Sequence, residues 1–240
     1  MTAAPAPSAS DVARGLAGVV AGSTAISSLE GTLRYRGYDI EPLATAGDFE
    51  EVAWLLLHGE LPTRAELEDF RVRIQQAALT VDPAVVDALA RLAAESPQAS
   101  PMDALRTGIS MLGLVERDDL PGPRQAVLAQ AERLLGQTPA LQAAWMDLAA
   151  GRPVAPWPSR PLAAALLERL TGRPPTPAEV AAFGATLVFY AEHEFNASTF
   201  TARTVVSTGS DLHSAITAAI GALKGPLHGG ANEKVLEVLG

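Results

Sequence analysis

Apolar residues recur at three- and four-residue intervals along most of the chain, and polar capping residues punctuate them. Asp48 with Glu51 opens the run Val52-Ala53-Trp54-Leu55-Leu56-Leu57, and Gly59 closes it. Thr63 and Glu66 repeat the arrangement just after Pro62. Asp82-Pro83 and Ser100-Pro101 each set a capping side chain before a proline at the first helical position. Residues 159–172 predict a helix with Leu162, Leu166, Leu167 and Leu170 on one face. Thr176-Pro177 with Glu179 starts a helix that runs to about Tyr190. Ser210 or Asp211 caps another that ends at Lys224-Gly225-Pro226, where a basic last turn and a Gly-Pro stop suit a C-terminus. A final helix is expected from about Gly230 to the end of the chain.

Period-two patterning is nearly absent. Only residues 29–40 support a strand or turn, with Gly31 and Gly37 flanking Leu33, Tyr35 and Tyr38. The fold class is therefore all-α with at most a small β element there. No repeat is found. The proline-rich stretch 151–161 carries Trp157 and suits a tight connection between helices better than a domain linker. The expected organisation is a disordered N-terminus over residues 1–10 and one large helical domain over 11–240.

Composition narrows the classes. With 48% hydrophobic and 19% charged residues in 240, the bulk of the chain is not disordered. The net charge of −9 makes a nucleic-acid partner a poor expectation, since phosphate neutralisation needs a basic face. The absence of Cys removes thiolate metal sites, iron–sulfur clusters and Cys nucleophiles, and fits a reducing cytoplasm. No stretch carries about 18 uninterrupted apolar residues, and residues 1–10 lack the basic and apolar parts of a secretory signal, so no membrane association is expected.

Chemistry concentrates in two blocks. His58, at the end of a helix, is explained by its interaction with the helix C-terminus, and His213 sits in a first turn beside Asp211. His193 differs, because Tyr190-Ala191-Glu192-His193-Glu194-Phe195-Asn196-Ala197-Ser198-Thr199 crowds polar groups after an apolar run. The zinc pattern His-Glu-x-x-His fails at Ala197, so no metal is expected. Continued as a helix, the segment would put His193 and Asn196 on one face, a pair suited to a carboxylate or carbonyl; a buried polar network between helices is the alternative. His228 lies in Lys224-Gly225-Pro226-Leu227-His228-Gly229-Gly230, where glycines let backbone approach a ligand. If a helix begins near Gly230, its positive end disfavours imidazolium, and a neutral His228 can donate a hydrogen bond to a carbonyl that is becoming an enolate. A structural turn is the alternative; a nucleotide loop is unsupported because no Lys-Ser or Lys-Thr follows. If the helix capped at Ser210 or Asp211 returns antiparallel, His193 and His228 face one pocket.

Several blocks in order give this chain a resemblance to the citrate synthase family. They are Gly15-Leu16-Ala17-Gly18-Val19-Val20, Thr24-Ala25-Ile26-Ser27, Tyr35-Arg36-Gly37-Tyr38-Asp39-Ile40, Phe49-Glu50-Glu51-Val52-Ala53, Leu57-His58-Gly59-Glu60-Leu61-Pro62, Pro101-Met102-Asp103-Ala104-Leu105-Arg106-Thr107, and the two blocks around His193 and His228. The resemblance implies a mostly helical cytoplasmic homodimer that condenses acetyl-CoA with oxaloacetate to citrate and CoA, an acyltransferase of the tricarboxylic acid cycle with no cofactor beyond its co-substrate. The related 2-methylcitrate synthases use propionyl-CoA. It also implies that His228 hydrogen-bonds the thioester carbonyl, that His193 binds oxaloacetate, and that Asn196 belongs to the same substrate-binding block.

The chain also departs from the family. A later Gly-Phe-Gly-His-Arg type motif, the Asp that removes the methyl proton and the arginines that grip oxaloacetate are not found in these 240 residues. The sequence thus resembles the first two thirds of such an enzyme, with one of three catalytic side chains. The expectation is a truncated chain, its small domain absent, that is inactive alone; the alternative from another class is a non-catalytic helical dimerisation scaffold.

Overall fold

A computed structural model describes residues 20–116 and 122–229. The expected disordered segment 1–10 and the helix expected from about Gly230 lie outside the described residues. A three-stranded antiparallel sheet comes first, with β1 (Ser27–Ser28), β2 (Arg34–Tyr35) and β3 (Tyr38–Asp39) in that order. Ser27 pairs with Tyr35 and Arg34 with Asp39. Ten helices follow among the described residues: α1 (Ile40–Ala46), α2 (Phe49–His58), α3 (Arg64–Leu79), α4 (Pro83–Glu95), α5 (Pro101–Val115), α6 (Arg124–Ala149), α7 (Leu162–Thr171), α8 (Pro177–Tyr190), α9 (Ala197–Ser207) and α10 (Leu212–Leu223). The class is all-α, and the β element starts at Ser27, slightly ahead of the predicted stretch.

Local chemistry sets most helix starts. Thr63 and Thr176 form reciprocal capping boxes with Glu66 and Glu179. Asp48, Asp82 and Ser100 accept hydrogen bonds from first-turn amides, and Asp211 rather than Ser210 caps α10. Gly59 ends α2 at φ 103°, a left-handed geometry that glycine adopts without a Cβ penalty.

The helix α6 has no counterpart in the sequence reading. It starts at Pro123 without a side-chain cap and contains Pro139. It also buries polar Gln130, Glu132, Gln137 and Asp147 beside its apolar residues, so no clean amphipathic stripe exists. Helix α7 begins at Leu162, later than predicted, and its predicted leucine face is not the buried one. Of that face Leu162 is buried and Leu170 exposed, and the other buried residues of α7 are Ala163, Ala164 and Ala165, with Ala163 facing Gly184 of α8.

Three apolar clusters hold the helices together. The first joins α4, α5, α6 and α10 through Val85, Leu89, Ile109, Leu112, Leu141, Trp145 and Ile220. The second packs Tyr35 with Leu43, Val52, Leu55 and Val188, and so seats the small sheet against α1, α2 and α8. The third links α2, α3 and α7 through Ala53, Phe70, Ile74 and Leu162. Helices α3 and α6 touch most closely at Gly136, where a Cβ would come within 2.2 Å of the Ile74 carbonyl oxygen. No helix among the described residues is long and apolar enough to cross a membrane.

Two of the four histidines are absorbed by this scaffold. His58 stacks on Trp54 at 3.7 Å and approaches the buried Glu132 carboxylate at 3.2 Å, so a tertiary contact holds it as well as its own helix end. His213 is buried, its Cβ packed on Gly113.

Candidate active site

The other two histidines line one cleft of about 810 Å³, within the size range of small-molecule sites. Helices α9 and α10 pack side by side, so the start of α9 and the turn after α10 come together. Tyr190 comes from the end of α8, His193 and Asn196 from the α8–α9 connection, Ser198 and Thr199 from the first turn of α9, Ser100 and Met102 from the start of α5, Leu223 from the end of α10, and Lys224, His228 and Gly229 from the turn after it. The antiparallel return expected from sequence is the geometry found.

Residues 193–196 are not helical, which corrects the one-face reading of His193 and Asn196. Helix α8 ends at Tyr190, Glu194 takes φ 55°, and Asn196 is the N-cap of α9. Asn196 Oδ1 accepts from the Thr199 amide at 2.9 Å and from the Ser198 hydroxyl at 2.8 Å. Both acceptor positions of that oxygen are therefore occupied, and what Asn196 has left for a ligand is its amide nitrogen. A left-handed non-glycine residue costs about 1–2 kcal/mol, so tertiary contacts must over-determine Glu194.

His228 sits at the N-terminus of α9; the helix expected from about Gly230 lies outside the described residues. Its Nε2 is 3.3 Å from the Ser198 amide nitrogen and 3.0 Å from the Ser198 hydroxyl. The Ser198 hydroxyl gives its one proton to Asn196, so toward Nε2 it can only accept and would need a ring proton there, whereas the amide can only donate and needs a bare Nε2; the two contacts select no single tautomer. Ser198 was not singled out from sequence. The available signal was Asn196 followed by Ser198 and Thr199, an N-cap pattern that makes Ser198 a first-turn residue. At Gly229 a Cβ would also meet the Leu223 carbonyl oxygen at 2.5 Å and its side chain at 2.6 Å. Gly229 lets the turn fold back on the end of α10, and the space it vacates belongs to Leu223.

Lys224 is the one lysine or arginine among the described lining residues, and its ammonium bonds Asp103 at 2.5 Å. That contact holds the Asp103 carboxyl below the usual carboxylate range, with a smaller contribution from Arg106. Among the described residues no carboxylate lines the cleft. Tyr190, in its lining, is exposed.

The family described as citrate synthase, C-terminal domain, matches residues 15–240. Citrate synthase 2 of Bacillus subtilis is 45% identical over 229 residues, covering 94% of this chain and 60% of that protein. The 2-methylcitrate synthase of Mycobacterium tuberculosis is also 45% identical, over 240 residues, covering 98% of this chain and 60% of the relative. Citrate synthase from Thermoplasma acidophilum, in a ternary complex with carboxymethyl coenzyme A and oxaloacetate, superposes with a TM-score of 0.82 at 30% identity, covering 90% of this chain and 57% of that one. The chain therefore spans about 60% of the length of the curated relatives it matches. A match across nearly the whole chain, with a shared fold and close identity to enzymes of two related specificities, means that this chain belongs to the citrate synthase family.

Proposed function

We propose that the cleft binds oxaloacetate and an acyl-CoA thioester for citrate-forming condensation. The observation that carries this reading is the convergence of His193, Asn196 and His228 on one cleft. His193 and the Asn196 amide nitrogen hold oxaloacetate. A ring N–H of His228 donates to the thioester oxygen while water takes the α proton, which stabilises the enolate. The enolate carbon then bonds to the keto carbon of oxaloacetate, whose oxygen is protonated by the hydronium so formed, and water cleaves the resulting thioester to release CoA. Both citrate synthases and 2-methylcitrate synthases match at 45% identity, so acetyl-CoA and propionyl-CoA are both candidate donors. A pocket distinguishes one methylene by only about 1–3 kcal/mol.

The bare cleft wall bears on rate. Enolisation needs a base at the methyl carbon, and Glu194 does not line the cleft. The 240-residue chain should therefore bind oxaloacetate yet release CoA about 10²–10⁴-fold more slowly than the Bacillus relative, the usual effect of losing a general base. The second reading is a non-catalytic member of the family, since among the described residues no carboxylate lines the cleft. A homodimer is proposed as well: no residue of α9 is buried, and Ala202, Val206, Leu212 and Ile216 line an apolar groove between α9 and α10 that a second copy would cover.

Calorimetric titration with oxaloacetate, together with CoA release from acetyl-CoA and propionyl-CoA, tests the reading. Binding that weakens roughly 100-fold in His193→Ala supports it. No oxaloacetate binding by the wild-type chain sinks it. Binding without any CoA release selects the non-catalytic alternative.

A further inference from the structure

We propose that Tyr35, together with the Ser27–Glu192 pair, are positioning residues that hold the His193 loop in its cleft-facing shape; the oxaloacetate arm of the argument rests on the reading above. The early block around Tyr35 lies far from the cleft in sequence, and its three two-residue strands are too short to be stable alone. Its contacts with the α8–α9 connection give it a purpose.

Nothing local ends α8. No glycine or proline follows Tyr190, and Ala191 still has right-handed helical angles, φ −68° and ψ −29°. A helix end leaves its last carbonyls without amide partners. The Ala191 amide bonds the Val188 oxygen, and the Tyr35 hydroxyl joins it there, lying 3.1 Å from the Val188 oxygen, 3.4 Å from that of Phe189 and, just past the helix, 3.1 Å from that of Glu192. Tyr35 is 0% exposed, so its ring is wedged under the helix end and its one proton has only these acceptors.

A second contact fixes the residues on either side of His193. Glu192 Oε1 accepts from the Ser27 hydroxyl at 2.7 Å and from the Glu194 amide at 2.5 Å. One carboxylate oxygen thus ties the loop to β1 and also clamps the left-handed Glu194. Beyond it the Phe195 ring lies against Gly22, where a Cβ would come within 3.0 Å, and under the Arg203 guanidinium at 4.6 Å. Residues 192, 194 and 195 are each held, whereas among the described residues the His193 ring makes an edge contact with Tyr190 alone and stays exposed to the cleft. The loop's shape therefore sets where His193 points, and an error of about 1 Å in such a group can cost about 10²-fold.

The test uses the full 240-residue chain and its Tyr35→Phe, Ser27→Ala and Ile74→Val variants. Ile74→Val is a control for lost stability, because Ile74 is buried in the cluster between α2, α3 and α7. Three quantities are read: amide hydrogen exchange of residues 192–196, the His193 ring shifts by NMR, and the oxaloacetate Kd. Tyr35→Phe should speed exchange in the loop roughly tenfold, move the His193 ring shifts and weaken oxaloacetate roughly tenfold. Ser27→Ala should do the same to a smaller degree. Ile74→Val should lower the unfolding midpoint and leave all three readouts unchanged. If Tyr35→Phe and Ser27→Ala leave loop exchange and the His193 shifts as they are, or if Ile74→Val changes them equally, the proposal is overturned. Should the wild-type chain not bind oxaloacetate, the functional reading falls, while loop exchange and ring shifts still decide the positioning role.

Discussion

Around Leu141, helices α4, α5, α6 and α10 bury a continuous apolar cluster, with Leu89, Ile109, Leu112 and Trp145 almost wholly withdrawn from solvent. On α9, only a helix away, valines and a phenylalanine are present, yet no residue is buried and Val206 is 43% exposed. The cleft lies on the second side of this divide. A region that completes its own packing supplies rigidity, and a region that leaves surface uncovered supplies places where another molecule can bind.

The largest expected effect sharpens that contrast directly. Leu141→Ala should cost about 2–5 kcal/mol in urea unfolding, because it opens a cavity among four helices. Val206→Ala should stay within about 0.5 kcal/mol, as surface changes do. Equal costs for the two would erase the distinction. A second copy on α9 would produce an effect of another kind. Val206→Asp should move sedimenting mass from dimer to monomer with the helical circular dichroism kept; an unchanged mass removes α9 from the interface.

Glu50 offers a finer probe of the packed side. It is 2% exposed, and one oxygen accepts from the Leu162 amide, which caps α7 from a distance. Burial raises its carboxyl above the ordinary 4.5. The folded chain then keeps a proton that the unfolded chain releases, so stability falls as pH rises from 4.5 through the raised value. Glu50→Gln should flatten urea midpoints across that range, and a wild-type chain with no such slope would contradict the burial argument.

The smallest effect belongs to the exposed start of α8. Arg173 and the Thr176 cap hold the Glu179 carboxyl at about 2, below the ordinary 4.5. A lowered carboxyl stabilises the fold above its unfolded value, and that contribution is lost as pH falls from 4.5 toward 2. Glu179→Gln should remove this part of the acid dependence in thermal melts; an identical acid profile would show that solvent screens the pair completely.

The fold was legible where helices announce themselves locally. Thr63, Asp82, Ser100 and Thr176 mark starts that the structure keeps, since a cap needs only residues within one turn. Helix α6 was illegible because it is surrounded: its buried Glu132 accepts from His58 and Arg73 and its buried Gln137 donates to Glu116, all from other elements, which hides any one-sided pattern. The two cleft histidines were identifiable from their polar and glycine-rich settings, and the return of α10 alongside α9 brings them together. The helical reading of residues 193–196 failed because the agents that break the helix, Tyr35 and Ser27, lie more than 150 residues earlier.

The two ends of α8 condense the difference. Its start is written in Thr176, Pro177 and Glu179, whose side chains and amides lie within reach of one another in any chain that turns there. Its end has no local stop, and the Tyr35 hydroxyl supplies one only after the β element has packed against α1, α2 and α8. The sequence by itself determined the helical class, most helix starts and the residue types available for chemistry. Tertiary structure decided where α8 stops, which helix N-terminus faces His228 and which way His193 points. Capping energies act over a few ångströms along the chain, whereas those three outcomes depend on groups that only folding makes neighbours.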